Sequence, residues 1–88
     1  ALSMGLVNRI CPPEKLMGDA LEFAGSLAER PPLAVSSVLK AISAGIYEGM
    51  DAGLAMEVEC SRMLSKSKDV IEGFTAFMEK RTPVFKGE

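Results

Sequence analysis

Apolar residues recur along this chain at spacings of three and four in four separate stretches, each closed off by proline, glycine or a short polar run. In the first, Leu16, Ala20, Phe23, Ala24 and Leu27 alternate with Glu14, Asp19, Glu22 and Glu29, a pattern that predicts an amphipathic helix from Pro13 to about Arg30. Pro13 suits the first helical position, where its missing N–H costs nothing. Gly18 and Gly25 lie inside this helix and weaken it by about 1 kcal/mol each relative to alanine, so packing is expected to compensate. Pro31 and Pro32 break the chain and start a second helix with Val35, Val38, Leu39, Ile42 and Ile46 as its apolar stripe. Ala34, Ala41 and Gly45 give that helix a small-residue side that lets another backbone come close. It is expected to end near Glu48 and Gly49.

Asp51 is the expected cap of a third helix, Ala52 to Ser65. There Met50, Leu54, Ser61 and Leu64 are roughly in line with Glu57, which puts a carboxylate on an apolar stripe. Acid/base chemistry needs a second titratable partner, and none is evident beside it. Glu57 is therefore expected to be half-buried and paired with a backbone group or a basic side chain. Ser67 or Asp69 can cap a fourth helix, and Asp69 and Glu72 have the spacing of a capping box. Val70, Phe74, Phe77 and Met78 form its apolar face. Lys80 and Arg81 close it, where cations complement the helix dipole, and Pro83 stops it before a short extended tail at Val84 and Phe85. At the other end, Ala1 to Met4 read as the last turn of a helix with Gly5 just past it, followed by an extended stretch at Leu6, Val7 and Ile10. A helix end with no helix before it is the expected mark of a chain cut from something longer. The fold class predicted is all-α: about four helices with a short N-terminal extended segment, forming one domain over residues 1–88.

Composition sharpens this picture. Of the 88 residues 48% are hydrophobic, and the mean hydropathy is +0.18. So short a chain cannot hide that much apolar surface by itself, and part of it is expected to cover another chain or domain. No uncharged apolar run approaches a membrane span, no signal peptide is visible, and no helix has the strongly basic polar face of a lipid-surface bundle, so no membrane role is expected. A net charge of −2 gives no reason to expect nucleic acid. Cys11 and Cys60 stand far apart, with no CxxC pair and no histidine in the chain, so no metal site is expected. Two free thiols, buried or half-buried, in a cytoplasmic protein is the reading favoured for them.

A search for catalytic chemistry returns nothing: no histidine for a Ser/His or Cys/His arrangement, no phosphate-binding glycine loop, no isolated carboxylate pair. The one suggestive constellation is in the tail. Residues 66–88 carry five basic and four acidic side chains, against five and eight in residues 1–65. Phe77 lies three residues before Lys80 and four before Arg81, which puts all three on neighbouring positions of one helical surface. An aromatic ring offers a stacking surface for a flat base, and a nearby cation can hold a phosphate. From pattern alone, the alternative of a core Phe77 with cations merely decorating the helix end is favoured.

These residues resemble a known family. The run EGFTAFMEKRTPVFKG is similar to the usual ending of crotonase-superfamily proteins, the enoyl-CoA hydratases and isomerases. GLVNRICPPEKL resembles the segment that follows their catalytic core, while PPLAVSSVLKAISAGI and GLAMEVECSRML resemble the helices between, in order and spacing. The resemblance covers essentially the whole chain and implies the C-terminal helical domain of a crotonase-like fold. The family's larger domain, a repeated ββα spiral with the oxyanion hole and the acid/base residues, would then lie upstream of Ala1. The implied function is hydration or isomerisation of an enoyl-CoA thioester by the parent protein, with this chain supplying oligomer contacts (a trimer or dimer of trimers) and one edge of the CoA site. Coenzyme A would enter as part of the acyl-CoA substrate, with no further cofactor. By resemblance, Phe77 would contact the adenine region and Lys80 the phosphates, with Arg81 a weaker candidate. Residues 1–88 alone would be inactive. The alternative is a free-standing helical interaction or oligomerisation module with no CoA role.

Overall fold

The computed structural model describes all 88 residues and contains four helices and no strand. After a single 3₁₀ turn at Pro13–Lys15 come α1 (Leu16–Ala28), α2 (Pro32–Glu48), α3 (Met50–Leu64) and α4 (Lys68–Glu79). The extended stretch expected at Leu6 to Ile10 finds no pairing partner and remains irregular. The first six residues do take the form of a helix end. Gly5 donates to the Leu2 carbonyl at 3.1 Å and Leu6 to that of Ala1 at 3.0 Å, with Gly5 at φ 78°. The irregular segment is tied to α1 by the Arg9 guanidinium, which sits 4.5 Å from the centre of the Phe23 ring.

The principal helix packing is an α2–α3 hairpin with a one-residue connection. Gly49 makes that reversal at φ 100° and ψ 168°, a conformation closed to L side chains, and no side chain caps α3. Asp51, expected as the cap, lies within the first turn of α3, because the glycine bend starts the helix two residues early, at Met50 instead of Ala52. The hairpin closes on small residues. A methyl group built on Gly53 would come 2.9 Å from the Gly45 Cα and 3.1 Å from its nitrogen. The small-residue side of α2 therefore does what its pattern promised, with Gly53 as its unanticipated counterpart.

What this arrangement lacks is a core of its own. Only seven residues are buried, and among the apolar ones only Ala44, Cys60 and Ala76. Its accessible surface is 7284 Å², whereas a compact chain of 9.4 kDa would expose about 5,000 Å². Likewise the radius of gyration is 16.4 Å, against roughly 12 Å for a compact domain of this length. Helix α1 lies apart from the hairpin. The packing expected to offset Gly18 and Gly25 is absent, since both face open space. Both cysteines are free, Cys60 buried and Cys11 half-buried. No helix is long and apolar enough to cross a membrane.

Two glycine substitutions should therefore act in opposite directions. Gly18→Ala, in open space on a helix, is expected to stabilise by about 1 kcal/mol. Gly53→Ala is expected to destabilise by about 1–3 kcal/mol, because the obstacle is the backbone of Gly45. Thermal melts followed by circular dichroism check both, and equal effects would count against the close crossing.

Candidate functional site

Helix α4 starts at Ser67, whose hydroxyl accepts from the Val70 N–H at 3.2 Å and donates to the Leu64 carbonyl at 2.8 Å. One side chain thus caps α4 and fastens it to the end of α3. The capping box suggested by Asp69 and Glu72 does not form, because Asp69 is already inside the helix. Both acids turn instead to the C-terminal tail, which folds back along α4. The Asp69 carboxylate accepts from the Lys86 N–H at 2.9 Å and the Gly87 N–H at 2.8 Å, while the Asp69 N–H donates to the Glu88 carbonyl at 2.8 Å. Asp69 is 5% exposed, so these bonds satisfy a carboxylate taken almost wholly out of water. The tail then places the Phe85 ring over Gly73 and brings Gly87 against Pro32 at the start of α2.

One turn along, Glu72 receives both ends of the Arg81 guanidinium, at 2.7 and 2.8 Å, and the Val84 N–H at 2.8 Å. Arg81 also donates to Glu79 at 2.6 Å. The hydrogen bonds from Arg81 and Val84 hold the Glu72 carboxyl down at about 2, and the same pairing keeps Arg81 charged above its ordinary range.

Between these two anchors the helix ends. The Lys80 N–H donates to the Phe77 carbonyl at 3.2 Å and the Arg81 N–H to the Ala76 carbonyl at 3.0 Å. Such a reversal usually carries glycine at the left-handed position. Here that position is Lys80, at φ 55° and ψ 41°, the only residue besides glycine with a positive φ. A side chain in that conformation costs roughly 1–2 kcal/mol. The single surface expected for Phe77, Lys80 and Arg81 is therefore divided. The helix stops at Glu79, and Arg81 is drawn back to Glu72, away from any free role. Lys80 makes no ion pair in the chain. Phe77 is no core residue: at 79% exposed, it lines an apolar groove of about 460 Å³ with Phe74, Phe85, Leu33 and Leu64.

Glu57 differs from expectation in another way. It is exposed on the α2–α3 groove and has no hydrogen-bonded or ionic partner, because the open hairpin leaves its stripe uncovered. The chain holds no cluster of three or more groups able to grip a metal ion.

These features define a helical arm, apolar on several faces, whose last helix ends in an exposed aromatic ring and an unpaired cation. The enoyl-CoA hydratase/isomerase family model matches residues 1–88, and the chain belongs to that family. It is 38% identical over 87 residues to a protein of Arabidopsis thaliana named probable enoyl-CoA hydratase 2, mitochondrial, covering 99% of this chain and 29% of the relative. It is 36% identical over 87 residues to the 2,3-dehydroadipyl-CoA hydratase of Escherichia coli, covering 99% of this chain and 34% of the relative. Among solved structures, the enoyl-CoA hydratase of Bacillus anthracis superposes over 100% of this chain and 34% of its own, with a TM-score of 0.90 and 41% identity. The chain thus spans about a third of the length of the curated relatives it matches.

The tail should come loose in acid. Because the Glu72 carboxyl is depressed from 4.5 to about 2, its contribution is complete above pH 4.5 and is lost as pH falls through about 2. Amide exchange at Val84 should quicken across that window, and Glu72→Gln should bring the quickening to neutral pH. An unchanged Val84 amide in the variant would count against the anchor.

Proposed function

We propose that this chain is the C-terminal helical part of an acyl-CoA enzyme that hydrates or isomerises an enoyl thioester. In that reading the reaction runs through an enolate-like state, with an oxyanion hole outside these 88 residues. The observation that carries the reading to a site is the end of α4, where Phe77 is exposed, the Lys80 N–H donates to its carbonyl and the Lys80 ammonium is unpaired, in a chain of the enoyl-CoA hydratase/isomerase family. Phe77 supplies a face on which an adenine can stack, and Lys80 an ammonium for the phosphates. Coenzyme A belongs to the substrate here, and no separate cofactor is required. In this reading Arg81 makes no direct contact, because its guanidinium is already shared between Glu72 and Glu79.

The surplus of exposed apolar surface supports a second part of the reading, in which α1 and the faces of α2 and α4 are covered by further protein, including other copies of this chain. The proposed location is the cytoplasm, where free thiols such as Cys11 and Cys60 persist, although one relative carries a mitochondrial designation.

Calorimetric titration of the chain at low salt with CoA and with dephospho-CoA tests the site. Weak binding is expected that falls with Phe77→Ala, with Lys80→Ala and on removal of the 3′-phosphate. Binding indifferent to all three would overturn the assignment of these residues. Sedimentation at micromolar concentrations is expected to find self-association, and a monomer would count against the second part. The 88-residue chain by itself is expected to turn over no crotonyl-CoA, so hydration above a matched blank would contradict the division of labour.

A further inference from the structure

We propose that Arg81 is a positioning residue for the anion-binding end of α4: clamped by Glu72 and Glu79, it fixes the left-handed turn at Lys80 and leaves the Lys80 ammonium as the unpaired cation beside Phe77. The inference rests on the reading of Phe77 and Lys80 as a CoA edge. It adds that the neighbouring arginine serves this edge without touching the ligand.

The backbone at Lys80 is the starting observation. A position that glycine fills most easily holds a lysine, and a backbone conformation disfavoured for its occupant persists only where its surroundings enforce it. The surroundings here are specific. Arg81 follows Lys80 directly and is held by three side-chain hydrogen bonds, two to Glu72 and one to Glu79. Glu72 is itself fixed by the Val84 N–H, and the tail beyond Val84 is fastened at Asp69. The residue after the turn is thus tied to the body of α4 nine residues earlier, and the chain between Glu79 and Arg81 has little freedom left. Charge points the same way. Apart from Asp69, Glu72 and Glu79 are the acids of α4, and Arg81 engages both. Without it, Glu79 would stand one residue from Lys80 with no partner, and an ion pair there would compete with a phosphate for the ammonium. Arg81 therefore holds the turn and removes the competing carboxylate.

A double-mutant cycle on the 88-residue chain tests this, with CoA and dephospho-CoA as probes and Lys80→Gln, Arg81→Gln and the pair as variants. The carbon shifts of Lys80 report its backbone conformation in each. Arg81→Gln is expected to move those shifts out of the left-handed range and to weaken CoA by about three- to tenfold, less than the loss of a whole charge-assisted contact because Lys80 keeps its charge and loses only its placement. In the Lys80→Gln background the same change is expected to have no further effect on affinity, because Arg81 acts only through Lys80. Losses that multiply in the double variant would mean that Arg81 meets the ligand itself, and would overturn the proposal. So would an Arg81→Gln chain that binds CoA normally. If Lys80→Gln leaves CoA binding unchanged, the underlying site reading fails, and the proposal with it. Arg81→Lys guards against general unfolding: it retains charge but not the two-pronged grip on Glu72, so it should keep helicity yet show part of the same shift and loss.

Discussion

Two carboxylates in the first half of α4 do for this chain what a packed core does in a larger domain. Asp69 gathers the N–H groups of Lys86 and Gly87, and Glu72 gathers Arg81 and the Val84 N–H. Through them an otherwise featureless tail becomes a strap along α4 that reaches Pro32 at the start of α2. Asp69 also sits where the helix dipole favours a negative charge, in the first turn. The geometry of the α4 end, including the left-handed Lys80, follows from this strap more than from any burial of apolar surface.

Helix periodicity was legible because it comes from local spacing and from proline and glycine. The 3₁₀ turn at Pro13 that leads into α1, the start of α2 at Pro32 and the stop before Pro83 need only neighbouring residues. The close crossing of α2 and α3 was half legible. Gly45 stood out among small residues, but Gly53 acquires meaning only when the one-residue bend at Gly49 fixes which turn it faces. The strap was not legible. Asp69 and Glu72 match a capping-box spacing, and nothing local distinguishes that use from bonds to residues nine to eighteen positions further on.

The same distinction explains the candidate site. Phe77 and Lys80 were grouped by spacing that assumes a continuous helix and read as a site only through the family resemblance, and both do lie at the end of α4. Arg81 was grouped with them on that assumption, and the reversal at Lys80 removes it. A lysine in a left-handed conformation cannot be read from composition, since the sequence offers no glycine there to announce a turn. The signal that was available is the spacing of Glu72 from a cation nine residues on, just before the proline stop at Pro83.

The exposed face of α4 poses a choice between protein and ligand, and the two ends of the helix answer it differently. Towards its middle, Phe74 and Val70 face a groove with Leu33 and Leu64, and apolar cover there gains about 1.5–3 kcal/mol for each large side chain buried. At the C-terminal end the same cover would also bury the Lys80 ammonium, which costs several kcal/mol unless an anion comes with it. Covering by apolar protein is thus favoured over the Phe74 half and opposed over the Lys80 half. A ligand with a flat base and a phosphate reverses the second balance, because it brings the anion along with the apolar surface. In the proposed reading, the division between an assembly face and a ligand face would therefore fall within α4 itself, between Phe74 and Lys80.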